Sequence, residues 1–91
     1  MLNKVKAALR IAVAIYDDEL TAMIAAARAD LSLCGINPTR VADNNDPLVT
    51  MAIITYCRAR FGSPADYDRV KLSYDEQKAQ LQTATGYGLE A

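Results

Sequence analysis

The chain has 91 residues, 52% apolar and 23% charged, with 10 Lys+Arg against 11 Asp+Glu for a formal charge of −1. These totals fit one globular domain and exclude a disordered chain. They also argue against tight, charge-driven binding of nucleic acid, which needs a basic surplus on one face.

There is no histidine, which removes the commonest general base and the commonest metal ligand together. The two cysteines, Cys34 and Cys57, sit among apolar neighbours in predicted helices and read as small buried hydrophobes. Met1 to Arg10 carries charges and lacks the apolar core of a secretory signal, so no disulfide is expected and the chain reads as soluble in a reducing compartment. No apolar run approaches the ~18 residues of a membrane span.

In chain order, Asn3 is placed to cap a short first helix from Lys4 to Arg10 or Ile11, with Val5, Ala8 and Leu9 on one face. Ile11 to Tyr16 (IAVAIY) either continues that helix or forms an extended apolar connector. Its β-branched residues alternate with alanine, and periodicity does not decide between the two. Asp17, Asp18 and Glu19 suit the start of a second helix, from about Asp18 to Cys34, because acids favour the positive end of the dipole. Leu20, Met23, Ile24, Ala27 and Leu31 form its amphipathic stripe. Ala22, Ala25, Ala26 and Ala29 add helix propensity and allow a neighbouring backbone to approach closely. Gly35 is a good helix stop, and Pro38 blocks continuation.

Ile36 to Asn45 (INPTRVADNN) reads as a loop, longer than the usual helix–helix connection. Asp46 and Pro47 then start a third helix as N-cap and N1. Leu48, Val49, Met51, Ala52, Ile53, Ile54, Tyr56 and Cys57 make it apolar around most of its circumference, so it is expected to be the buried centre. Arg58 and Arg60 suit its negative end, Phe61 anchors the exit and Gly62 ends it. Ser63-Pro64-Ala65-Asp66 resembles a capping box that starts a fourth helix as the second arm of a hairpin. Tyr67, Val70, Tyr74 and Leu81 lie near one face, with Asp68–Lys71 and Asp75–Lys78 as i, i+3 pairs on the other. The helix fades after Gln82 or Thr83, and the rest, from about residue 84, is a tail.

The fold expected is all-α: a small single-domain bundle of four helices around the apolar third, with a flexible C-terminal tail. No catalytic constellation is present, and neither cofactor nor metal is implied. Capping explains Asp17-Asp18-Glu19 better than metal binding does. Gly86-Tyr87-Gly88 is too short for a phosphate loop. Arg58 and Arg60 are candidates for facing phosphate, but arginines at a helix C-terminus more often serve the dipole. A helix-turn-helix regulator needs a recognition helix with polar residues for base edges. The third helix is apolar, and the fourth mixes its basic residues with Asp66, Asp68, Asp75 and Glu76.

The order of these pieces has a family likeness. Lys6-x-x-Leu9-Arg10, Asp17-Asp18-Glu19-Leu20 opening an alanine-rich helix, Asp46-Pro47 before an apolar helix, Arg60-Phe61-Gly62, Tyr67-Asp68 and a Gly-Tyr ending together resemble the small head–tail connector (adaptor) proteins of long-tailed bacteriophages, also labelled phage DNA-packaging proteins. The likeness spans roughly residues 2–88. Ile11 to Tyr16 departs from it, since members usually carry a short polar connector there.

The resemblance implies a non-enzymatic, all-α subunit of a homo-oligomeric ring of about twelve copies, closed by heterologous contacts. The ring would lie below the portal protein in the virion, after synthesis in the host cytoplasm. DNA would pass through it as non-specific cargo, and tail or head-closure proteins would attach to it. On that reading Ala22, Ala25, Ala26, Ala29, Tyr67 and Tyr74 are expected at subunit contacts. Asn37, Arg40, Asp43 and Tyr87 are expected to dock portal or tail, with no membrane contact. The alternatives are a small helical DNA-binding regulator and a protein–protein adaptor.

Overall fold

The computed structural model describes residues 1–61, 65, 67–84 and 86–88. Its elements are α1 (Leu2–Leu9), α2 (Asp17–Leu33), α3 (Pro38–Ala42), α4 (Pro47–Arg60) and α5 (Tyr67–Thr83). The protein is an all-α bundle with α4 at its centre, touching α1, α2 and α5. No helix among the described residues is long and apolar enough to cross a membrane.

Among the described residues there are five helices where four were expected. The extra one, α3, lies inside the stretch read as a loop. Its grammar matches that of α4: an Asn or Asp N-cap followed by proline at N1. The Asn37 side chain accepts from the Thr39 N–H at 2.9 Å, and Asp46 Oδ1 accepts from Leu48 and Val49, both at 3.0 Å.

The start of α1 is also earlier than expected, at Leu2 with Met1 as N-cap in place of Asn3. Its end settles the fate of Ile11–Tyr16. The Arg10 N–H donates to Ala7 O at 3.2 Å and Ile11 N–H to Lys6 O at 2.9 Å, with Arg10 in the left-handed region at φ 60°. This is a Schellman stop. The connector that follows is not helical, and Ala12 to Tyr16 are exposed. Lys6 then reaches Asp17 at 2.7 Å, tying the end of α1 to the start of α2. Asp17 is thus the first helical residue rather than the cap, which is Tyr16.

A second Schellman stop ends α2. Gly35, at φ +87°, donates to Ser32 O at 3.1 Å, and Ile36 to Leu31 O at 3.2 Å. Leu31 and Ile36, the apolar pair that accompanies this motif, are both fully buried.

The core joins Val5 of α1, Leu20, Ile24, Ala27 and Leu31 of α2, Val41 of α3, most of α4, and Tyr74 and Leu81 of α5. Met23 is only partly buried against it. The expected centrality of α4 holds, with Val49, Ala52, Ile53 and Cys57 fully buried. Leu48 and Met51 remain exposed, however. With Arg58 they leave a narrow strip of the helix uncovered. The predicted capping residues Ser63, Pro64 and Asp66, and the stop at Gly62, lie outside the described residues. On α5, Lys71 pairs with Asp75 at 3.0 Å rather than with Asp68, and Asp75 also approaches Lys78 at 3.7 Å.

Candidate functional site

Two surfaces collect most of the residues expected at subunit contacts or partner docking. The first is the outer face of α2. Ala22, Ala25, Ala26 and Ala29 are all exposed, and Leu33 continues their stripe at 87% exposure. At 100° per residue this stripe lies about 180° from the buried stripe of Leu20, Ile24, Ala27 and Leu31. The helix is therefore apolar on two opposite faces, one packed and one bare. The connector before it adds Val13 and Ile15, the latter 80% exposed. Tyr67, at the start of α5, is also exposed.

Tyr74 does not join that surface. It is only 3% exposed, and its hydroxyl donates to Asp30 Oδ2 at 2.6 Å. Lys78 donates to the same oxygen at 3.3 Å. Burial pushes the Tyr74 phenol well above its ordinary pKa, and the bond to Asp30 adds to this. Its ring meets Tyr56 edge-on, with centroids 5.2 Å apart. The expectation of a subunit contact at Tyr74 is corrected accordingly: the side chain is spent on fastening α5 to α2 and α4.

Arg58 and Arg60 part company. Arg58 projects from the uncovered strip of α4. The Arg60 guanidinium stacks on the Tyr56 ring at 3.7 Å from its centroid, a cation–π contact within the chain. The Arg60 guanidinium is thus engaged within the chain, whereas Arg58 is exposed.

The second surface gathers Asn37, Arg40 and Tyr87, separated by up to fifty residues in sequence. The tail residues Gly86 to Gly88 fold back onto the α2–α4 connection. Ile36 and Gly88 form an antiparallel bridge, and the Asn37 N–H donates to Tyr87 O at 2.6 Å. Arg40 Nε donates to Gly86 O at 3.3 Å, and its guanidinium lies over the Tyr87 ring, 4.8 Å from the centroid. Gly86 sits at φ +86°, and a side chain there would meet Arg40 Nη2 at 3.3 Å. The tail is thus seated at these three residues rather than free.

Beneath the seat is Asp46, whose side chain is 2% exposed. While Oδ1 caps α4, Oδ2 lies 3.5 Å from Arg40 Nη1. Hydrogen bonding to this carboxylate is the main cause that holds the Tyr87 phenol above its ordinary pKa, with burial second. Asp43 stands beside the cluster in a local role, its Oδ1 accepting from the Asn45 N–H at 2.9 Å. Asp46 had been legible only as a cap. No short-range signal in the sequence ties it to Arg40 and Tyr87, because the pairing depends on where α5 delivers the tail.

Among the described residues no group of three His, Cys, Asp or Glu is placed to hold a metal ion. The Cys57 thiol is pushed up by burial to about 11, which makes it a poor nucleophile at neutral pH. Asp17, in the acidic start of α2, is taken by Lys6.

A family model described as phage connector protein matches residues 1–88. No curated protein matches the chain. No solved structure matches it either.

Proposed function

The chain belongs to the phage connector protein family, and from that premise we propose that it is a non-enzymatic head–tail connector subunit that works as a homo-oligomeric ring. The ring lies below the portal at the head–tail junction of the virion and is assembled from subunits made in the host cytoplasm. DNA passes through it without sequence-specific contact. Tail or head-closure proteins attach to it.

The observation that carries this reading is the second apolar face of α2. A monomer gains nothing from exposing Ala22, Ala25, Ala26, Ala29 and Leu33 along one stripe, whereas a subunit packed against a neighbour buries them. A small-residue face lets two backbones approach closely, and Tyr67 is an exposed aromatic side chain at the start of α5. The near-neutral charge of −1 suits a conduit that must release DNA rather than grip it.

The test is size in solution. Light scattering at high protein concentration, with and without portal protein, is expected to show a closed multimer. Ala26→Glu and Ala29→Glu place a charge on the bare face and are expected to abolish the multimer without unfolding the subunit. A wild-type chain that stays monomeric even with portal present overturns the reading. So does sequence-specific, nanomolar binding to duplex DNA at low salt, which is the signature of a regulator.

A further inference from the structure

The seat under Gly86–Gly88 has the features of a peptide-binding site that already holds a ligand. Recognition falls on the peptide main chain: the Ile36–Gly88 bridge, the Asn37 N–H on Tyr87 O, and Arg40 Nε on Gly86 O. One side chain is read, the Tyr87 ring under the Arg40 guanidinium. The main-chain bonds run to a single bridge where α2 passes into α3, and one side chain is held beside them, the combination by which main-chain contacts give affinity and a side-chain contact gives selectivity. Glycine suits position 86 because its φ of +86° strains any residue with a Cβ, which would also come within 3.3 Å of Arg40 Nη2.

None of these contacts depends on the peptide being continuous with α5 of the same chain. The same Gly-Tyr-Gly segment arriving from a second copy would remake each of them, so exchange costs little beyond opening. Opening itself is local, since the segment is held by one bridge, by Arg40, whose side chain is 44% exposed, and by Tyr87, which is hydrogen-bonded to Asp46 and packed against the rim of the core. Seat and segment are different surfaces of the molecule. Exchange between them is therefore heterologous, the kind of contact that repeats around an axis until it closes.

We propose that the stretch Ile36–Arg40, where the chain enters α3, backed by Asp46, is a peptide seat for Gly86–Gly88, filled by the chain's own segment when the protein is free and by that of a neighbouring copy when it is assembled. The exchange rests on the ring reading; the seat does not.

The seat is tested on the full chain carrying Tyr87→Ala, isotope-labelled and titrated with a synthetic peptide of residues 84–91. Saturable NMR shifts at the Asn37 amide and the Arg40 Nε–H are expected, and about tenfold weaker binding when the peptide carries the same Tyr→Ala change. The methyl signals of Leu20 and Ile53 report that the variant is folded. A folded variant with no shift at those two groups overturns the seat. The exchange is tested with a photo-crosslinking benzoyl-phenylalanine in place of Tyr87, in an assembly mixed from light and heavy isotope copies. Light–heavy cross-links to residues 36–46 are expected from the assembly and only same-isotope ones from the dilute protein. Same-isotope cross-links alone in the assembly overturn the exchange and leave the connector reading standing. A chain that never assembles sinks the ring and the exchange together, while the titration still decides the seat.

Discussion

The Tyr74 hydroxyl donates to Asp30 at 2.6 Å across forty-four residues of sequence, and it is the polar rivet between α5 and α2. Burial pushes the Asp30 carboxyl up, but the hydrogen bonds from Tyr74 and Lys78, with the charges of Lys78 and Arg60, outweigh it and hold the group below the usual carboxylate value. A folded-state pKa below the unfolded one gives stability that is complete above the unfolded value, about pH 4, and drains as pH falls through the folded value. Urea denaturation is therefore expected to show a loss of stability between neutral pH and about pH 3, with a smaller loss in Asp30→Asn. Tyr74→Phe should cost about 1–1.5 kcal/mol at neutral pH.

Asp46 makes two backbone bonds at the start of the central helix. Asp46→Ala is expected to cost about 1–2 kcal/mol through the lost cap alone, or a fall in melting temperature of roughly 4–16 °C for a chain of this size. Asp46→Asn keeps the capping oxygen and gives up the attraction to Arg40, so it should cost clearly less. Calorimetry on the two variants separates the cap from the ion pair.

Arg10 closes α1 in the left-handed region at φ 60°, ψ 41°, where a residue with a Cβ is strained by about 1 kcal/mol. Arg10→Gly relieves that strain and loses some back to the greater freedom of the unfolded glycine. A net gain of about 0.5 kcal/mol is expected in denaturant titrations. An unchanged or lower midpoint would show that the Arg10 side chain has a use of its own in the folded chain.

The two thiols differ in surroundings: Cys57 is buried and Cys34 half-buried, and burial raises Cys57 to about 11. Iodoacetamide at about pH 8 is expected to modify Cys34 first, and Cys57 only as denaturant opens the core. Mass spectrometry of the intact protein counts the additions.

Local grammar made much of this fold legible. Asp46-Pro47 announced α4, Gly35 announced the end of α2, and the stripe from Leu20 to Leu31 announced the face that packs. Where reading failed, the cause is physical. Asn37-Pro38 carries the same start signal as Asp46-Pro47, but a helix of five residues has too few turns to show a period. Arg10 in place of glycine hid the Schellman stop of α1, which left Ile11–Tyr16 undecided. Tyr74 was placed on the correct face of its helix, yet spacing alone cannot tell a core stripe from an interface stripe. The bare alanines of α2 were visible as alanines. That they stand opposite the packed stripe became evident only once the packed side was known. Asn37, Arg40 and Tyr87 were singled out together, but their contact with one another and with Asp46 could not be read, since these residues meet only through tertiary folding.

The buried carboxylate of Asp46 also joins two thermodynamic accounts. One of its oxygens belongs to the base of the central helix, and the other side of the group faces whatever occupies the surface above it. A ligand that fills that surface binds the folded chain and not the unfolded one, so its binding free energy is added to the stability of the whole domain. The chain's own Gly86–Gly88 is such an occupant, so a chain whose tail cannot sit there is expected to unfold at a lower temperature than the intact one.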